Sequence, residues 1–301
     1  MKADSPSKTA EAASAVRALE SLLPEGKRLF KDVYSAKFLS PLNRLILGLC
    51  SASPWVRNVM EKELDRRYPG VPADFICRTR YIDRLIQEAV GAGGLERLVI
   101  LGAGYDPRGL RFSLEANTGT SALKVFELDH PATQARKSKI AAKLFKKDVL
   151  NRISWISHDL NRSPDESAQL REAFAKPAQS FWIAEGLLSY LPQTAVRGLF
   201  AWIAKHSQPG SRITFTYVHR DLVERRSNSP SAQAILQYLD KAGESFVAGW
   251  TPEEMARDCL DAGIVVEDDR SEEDLANQYL KPIGRALSTV NEFRIVSARI
   301  S

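Results

Sequence analysis

A chain of 301 residues, 44% apolar and 26% charged, is long enough to bury a substantial core and has the composition of a globular protein, which sets aside disordered and fibrous classes. The formal charge of +5 is modest and both signs are spread along the chain, so charge lends only weak support to nucleic acid or an acidic surface as partner. Cys50, Cys77 and Cys259 are odd in number, far apart and without metal-ligand spacing, which argues against a disulfide framework and for a reduced, cytoplasmic setting.

The N-terminal stretch MKADSPSKTAEAAS lacks the apolar core of a signal peptide and reads as a short flexible lead into a helix. Ala12, Val16, Leu19 and Leu23 then repeat at helical spacing, and the pattern continues through PWVRNVMEKELDRRY and TRYIDRLIQEAVG. The first ninety or so residues are thus predicted to be mostly helix. The run from Phe38 to Cys50 contains Pro41, Asn43 and Arg44 and is too short to cross a bilayer.

From Leu98 the rhythm changes to short runs rich in β-branched and aromatic residues. Strands are predicted at 97–102, 123–129, 153–157, 180–186, 212–218, 263–268 and 292–299, with helices at 132–147, 165–175, 192–207 and 252–262. Leu98 to Leu101 is apolar throughout, as a strand covered by helices on both faces should be. The alternation predicts an α/β, doubly wound, Rossmann-like sheet of seven strands, the last antiparallel and at an edge. Residues 218–250 are too long for a simple loop and are predicted to be a helical insertion that, with a helical region over 1–90, caps a Rossmann-like domain over 91–301 in one compact unit. The lysines at 137, 139, 143, 146 and 147 and the acidic stretch VEDDRSEED are read as solvated faces.

Ligands of such a sheet sit beyond the carboxyl ends of its strands, so the chemistry should gather there. Gly102 and Gly104 end the first strand and allow a tight turn with close backbone approach to a ligand. Pro107 stands where a dinucleotide fingerprint needs its third glycine, which disfavours a pyrophosphate turn. Glu127 and Asp129 follow about 25 residues later, where a carboxylate can accept ribose hydroxyls. Asp159 and Glu185 reach the same sheet end, suited to an adenine amino group and a cationic α-amino group. Arg78 and Arg80 precede the first strand, where a guanidinium could clamp a carboxylate. Adenine, ribose and an amino-acid head together describe S-adenosylmethionine. The four histidines show no metal spacing, so no metal is expected, and the chain has no G-x-S-x-G turn or phosphate-binding G-x-x-x-x-G-K-[ST] loop.

RTRYID, VILGAGYDPRGLRF, FELDHPATQARK, HDL and AEGLLSYL stand in the order and approximate spacing of the leucine carboxyl methyltransferase-like family, and the chain resembles its bacterial O-methyltransferase members over nearly its whole length. The resemblance implies a class I methyltransferase fold using S-adenosylmethionine, with S-adenosylhomocysteine as product. By position it implies Arg80 on the methionine carboxylate, the Gly102-Ala103-Gly104 turn behind the methionine portion and Asp129 on the ribose. It further implies Asp159 with Leu160 at the adenine, Glu185 at the α-amino group, and Tyr190 as a candidate beside the acceptor.

The expected activity is methyl transfer to a carboxylate or hydroxyl of a small molecule of secondary metabolism, by a cytoplasmic monomer or homodimer without nucleic acid or membrane partners. A general base is needed only for a hydroxyl acceptor. Methylation of a protein C-terminus is an alternative, against which stands Asn161 where the family's eukaryotic branch carries an arginine. A second alternative is a non-catalytic domain that binds the cofactor, or RNA through the lysines of 137–147.

Overall fold

The computed structural model describes residues 8–115, 123–243 and 245–301. Residues 1–7, the first half of the stretch read as a flexible lead, lie outside the described residues. Helices α1 (Lys8–Glu20), α2 (Pro41–Ala52), α3 (Pro54–Arg67) and α4 (Val71–Gly91) precede β1 (Arg97–Leu101). There follow α5 (Arg108–Glu115), β2 (Lys124–Asp129), α6 (Pro131–Leu144), α7 (Lys147–Leu150), β3 (Ile153–Ser157), α8 (Ala168–Ala173), β4 (Ser180–Ala184) and α9 (Gln193–Lys205). The chain continues through β5 (Arg212–Val218), α10 (Arg220–Val223), α11 (Pro230–Ala242), α12 (Pro252–Asp261), β6 (Ile264–Ser271), α13 (Glu272–Tyr279) and β7 (Phe293–Ile300).

Local chemistry sets the helix starts. Ser40, Ser53, Ser229 and Thr251 each stand before a proline, and their hydroxyls accept from the backbone N–H three residues on. The proline fixes φ at the first helical position, where its missing N–H costs nothing. α5 was not foreseen, because Pro107 and Gly109 interrupt its pattern; it begins directly after the glycine turn.

The strands lie in the order β3-β2-β1-β4-β5-β7-β6. β1 to β5 pair in parallel and β7 is antiparallel to both β5 and β6. The last strand is therefore antiparallel, but it does not form an edge: it slides between β5 and β6, and β6 takes the edge. Alternate residues of one strand enter different cores. Val99 and Leu101 join a core with α9 and α12, whereas Leu98 and Ile100 join one with α4 and α1. This two-sided burial is why β1 reads as an unbroken apolar run.

Two stretches read as solvated are only partly so. Lys137 is fully buried, 2.7 Å from Glu127 and 2.5 Å from the Asp106 carbonyl oxygen, while Lys139, Lys143, Lys146 and Lys147 are exposed. In the acidic stretch, which β6 runs through, Asp268 accepts from the Tyr81 hydroxyl and Asp269 from the Tyr217 hydroxyl, each at 2.8 Å. No helix among the described residues is long and apolar enough to cross a membrane.

Candidate active site

Winding reverses between β1 and β4, and beyond the carboxyl ends of these strands and of β2 and β3 lies a cavity of about 350 Å³. Gly102 (φ +61°) and Gly104 (φ +44°) form its floor in the left-handed region that favours glycine. A Cβ on Gly102 would stand 3.0 Å from Leu187 Cδ1, and one on Gly104 3.3 Å from the Ala10 Cβ of α1. The Gly104 N–H donates to Asp129 Oδ2 at 2.6 Å and the His130 N–H to Oδ1 at 2.7 Å, so the carboxylate at the end of β2 fixes the turn at the end of β1. Burial raises the Asp129 carboxyl, and these two donors moderate the rise. A carboxylate has about four acceptor sites, which leaves room for ribose hydroxyls.

At the far end of the cavity stand Asp159, Leu160, His130 and His158. Asp159 Oδ1 accepts from Asn161 N at 3.0 Å and Nδ2 at 2.8 Å. Partial burial pulls its carboxyl up, but these donors outweigh it and hold it below the ordinary value. Asn161, standing where a substrate-gripping arginine was looked for, is thus occupied in shaping the end suited to adenine.

The near end is built from ions. Arg108 of α5 donates from Nε to Asp83 at 2.7 Å, and from Nη1 to Asp106 at 2.7 Å and to Glu185 Oε2 at 2.5 Å. Arg78 of α4 reaches Glu185 Oε1 from Nε at 2.8 Å and pairs with Asp74 one turn back. Arg111 lies 2.7 Å from Asp83, and Arg17 of α1 lies 3.7 Å from Glu185. Four arginines thus face four carboxylates, and a cluster without net charge suits the zwitterionic head of an amino acid. Burial alone would raise the Glu185 carboxyl; Arg108, Arg78 and Arg17 together hold it far below its ordinary value.

The cavity fits the cofactor expected from the sequence. Arg17, Tyr105 and Thr133 line it, and their buried Nε, Oη and Oγ1 atoms find no hydrogen-bond partner among the described residues. Each such orphan costs about 1–3 kcal/mol, which a polar ligand would recover. Arg17 and Arg78 would hold the methionine carboxylate, Asp129 the ribose, and Asp159 with Leu160 the adenine.

Of the residues singled out from the sequence, Gly102, Ala103, Gly104, Asp129, Asp159, Leu160, Glu185 and Tyr190 line this cavity. Arg80 does not. It lies two residues from Arg78 on α4, a rotation of about 200° that turns it away, and Arg78 takes the cavity wall in its place. Glu185, assigned to an α-amino group, already has arginine partners on both oxygens, so an ammonium would join a crowded carboxylate. Glu127, read beside Asp129 as a ribose acid, instead pairs with Lys137 in the interior, where burial pushes its carboxyl up to about 7. Arg17 was missed; Ala10, Ala13 and Arg17 recur at helical spacing on the face of α1 that closes the cavity, the one signal that marks them.

A second cavity, of about 310 Å³, adjoins the first. The two share Thr9, Phe75, Arg78, Gly186, Leu187 and Tyr190. Beyond that partition the walls are mainly apolar and aromatic, with Leu64 and Tyr68 from the end of α3, Ile235 and Tyr238 from α11, and Phe246 and Phe293. Tyr190 lines both spaces and its ring packs tilted against Phe246 at 5.4 Å.

The family model for leucine carboxyl methyltransferase matches residues 10–204. A Frankia alni protein called "Putative S-adenosyl-L-methionine-dependent methyltransferase" is 32% identical over 80% of this chain and 79% of its own length. A Streptomyces coelicolor protein with the same description is 33% identical over 72% of this chain and 71% of its own. Among solved structures, an O-methyltransferase family protein from Burkholderia thailandensis aligns with a TM-score of 0.48 at 14% identity, covering 78% of this chain and 62% of that one. The match over most of the motifs that build the cavity places the chain in the leucine carboxyl methyltransferase family, S-adenosylmethionine-dependent methyltransferases of class I fold.

Proposed function

We propose that this methyltransferase transfers the methyl group to an oxygen of a small, largely apolar molecule. The observation that carries this reading is the second cavity: its size falls within the range of small-molecule sites, and it meets the cofactor cavity across Arg78, Gly186, Leu187 and Tyr190. The bound cofactor supplies an electrophilic methyl group. Methyl transfer from a sulfonium is an in-line displacement, so the chain's own tasks are to align the acceptor and exclude water, and apolar walls suit both. Methylation of a peptide C-terminus fits less well, since the cavity wall offers no arginine after the Asp159–Leu160 pair.

The test is transfer of labelled methyl to a panel of apolar alcohols, phenols, carboxylic acids, amines and thiols. Label in ethers or esters supports the reading. Label confined to amines or thiols, or to C-termini of proteins, overturns it.

A further inference from the structure

Asp74 of α4 is the one carboxylate among the described residues that line the apolar cavity. It sits one helical turn before Arg78, whose guanidinium holds Glu185 through Nε and Asp74 through Nη1. Arg78 therefore carries a line of contact from the cofactor cavity to the acceptor cavity, and Asp74 is its acceptor-side end. The Arg78 guanidinium takes Asp74 Oδ2, which leaves Oδ1 as the oxygen not bound to it. The cavity's other cation, Arg294, is held by Asp269 at 2.9 Å.

This arrangement discriminates between oxygen acceptors. An acceptor that is already a carboxylate needs no base; it needs a cation of its own, and here Arg294 is held by Asp269, Arg78 is committed to the cofactor end, and a carboxylate stands in the wall. A neutral hydroxyl needs a group to take its proton, and rings of Tyr68, Tyr238, Phe246 and Phe293 offer flat apolar surface for an aromatic body. We infer that the acceptor is a phenol-type hydroxyl on an apolar, ring-bearing molecule, and that Asp74 is the general base that receives its proton. This rests on the oxygen-transfer reading above. In the step, the hydroxyl proton passes to Asp74 Oδ1, the oxygen lone pair forms the new O–CH3 bond, and the carbon–sulfur bond breaks with its electron pair kept by sulfur. The proton then leaves Asp74 for water.

The charged groups around Asp74 are Arg78 on its own helix, Glu185 after β4, Glu272 at the start of α13 and Arg294 of β7 across the cavity. Burial pushes the Asp74 carboxyl up to about 6, against the pull of Arg78 and with a further push from Glu185. Burial first, and Asp74 next, raise Glu272 well above its ordinary value. Asp74 is thus ionised and able to accept a proton above pH about 6.

The experiment uses the full chain with S-adenosylmethionine and acceptors of one carbon skeleton: the naphthols, naphthoic acids and naphthylamines. The expected result is methyl ether from a naphthol, with kcat rising on a single ionisation near pH 6 to a plateau. Asp74→Asn lowers that kcat about 100-fold and abolishes the pH step, while S-adenosylhomocysteine still binds. Asp74→Glu retains a base and restores part of the rate, which separates loss of a base from loss of structure, and the wild-type pH profile needs no variant. Methyl ester from a naphthoic acid with no ether from a naphthol overturns the inference and leaves oxygen transfer standing. So does an Asp74→Asn protein that methylates a naphthol at the wild-type rate. Methyl on a naphthylamine alone overturns the oxygen reading and this inference with it.

Discussion

Arg108 Nη1 lies 2.5 Å from Glu185 Oε2, and this contact ties together two motifs 77 residues apart in the chain. GAGYDPRGLRF and AEGLLSYL each look like local punctuation after a strand, yet their charged members belong to one buried network with Asp83 of RTRYID. Buried ions demand partners, so each motif's arginine or acid is fixed by the others.

Replacing Glu185 by Gln leaves Arg108, Arg78 and Arg17 short of a counter-charge. The expected cost is about 3–5 kcal/mol at pH 7, read as a lower midpoint of denaturant unfolding. The pH dependence has a definite sign. The folded-state carboxyl is held below its ordinary value of 4.5, so its contribution is complete above that pH and is lost as pH falls through the folded value. Thermal melts from pH 7 down to about 3 should show this acid-side loss in wild type and a flatter limb in Glu185→Gln.

Lys137 and Glu127 make the opposite kind of test, a buried pair that lines neither cavity. Lys137→Met should destabilise by about 3–5 kcal/mol because it strands a carboxylate in the interior. Adding Glu127→Gln should recover much of that loss, a coupling that a double-mutant cycle by urea unfolding would measure.

Gly102→Ala places a side chain at φ +61° and 3.0 Å from Leu187. The left-handed backbone alone costs about 1–2 kcal/mol. Because the turn is also the cavity floor, the variant should bind S-adenosylhomocysteine more weakly even at temperatures where circular dichroism shows it fully folded.

Phe246 belongs to the apolar cavity alone and packs on Tyr190 at 5.4 Å. Phe246→Ala should raise KM for an apolar acceptor roughly 10-fold while leaving cofactor affinity as it was. A matched loss of cofactor affinity would show that the cavities are not separable in this way.

The strand-end chemistry was legible because it depends on local order: a β-branched run, a glycine turn, an acid at the next strand's end. Gly102, Gly104, Asp129, Asp159 and Glu185 all reach one cavity for that reason. The choice between Arg78 and Arg80 was not legible in the same way, since it turns on a two-residue rotation of α4 that only packing against the sheet sets. Arg17 depends on α1 crossing the glycine turn, a contact between segments some ninety residues apart; the helical spacing of Ala10, Ala13 and Arg17 marks one face of α1 but not what that face meets. The place of β7 between β5 and β6 was hidden likewise: antiparallel direction follows from a short connection, whereas position in the sheet is decided by which neighbour buries Ile295 and Val296. Lys137 reads as one member of a basic run until Glu127 is seen beneath it.

The assignment of the cofactor cavity stands or falls on Arg78 and Arg80 of α4. Calorimetric titration with S-adenosylhomocysteine should show binding to the wild-type protein, a loss of about tenfold or more in Arg78→Lys, which keeps the charge but not the forked geometry, and no change in Arg80→Ala. Binding that survives Arg78→Lys intact and is lost in Arg80→Ala would contradict the geometry described here and return the methionine carboxylate to the opposite face of the helix.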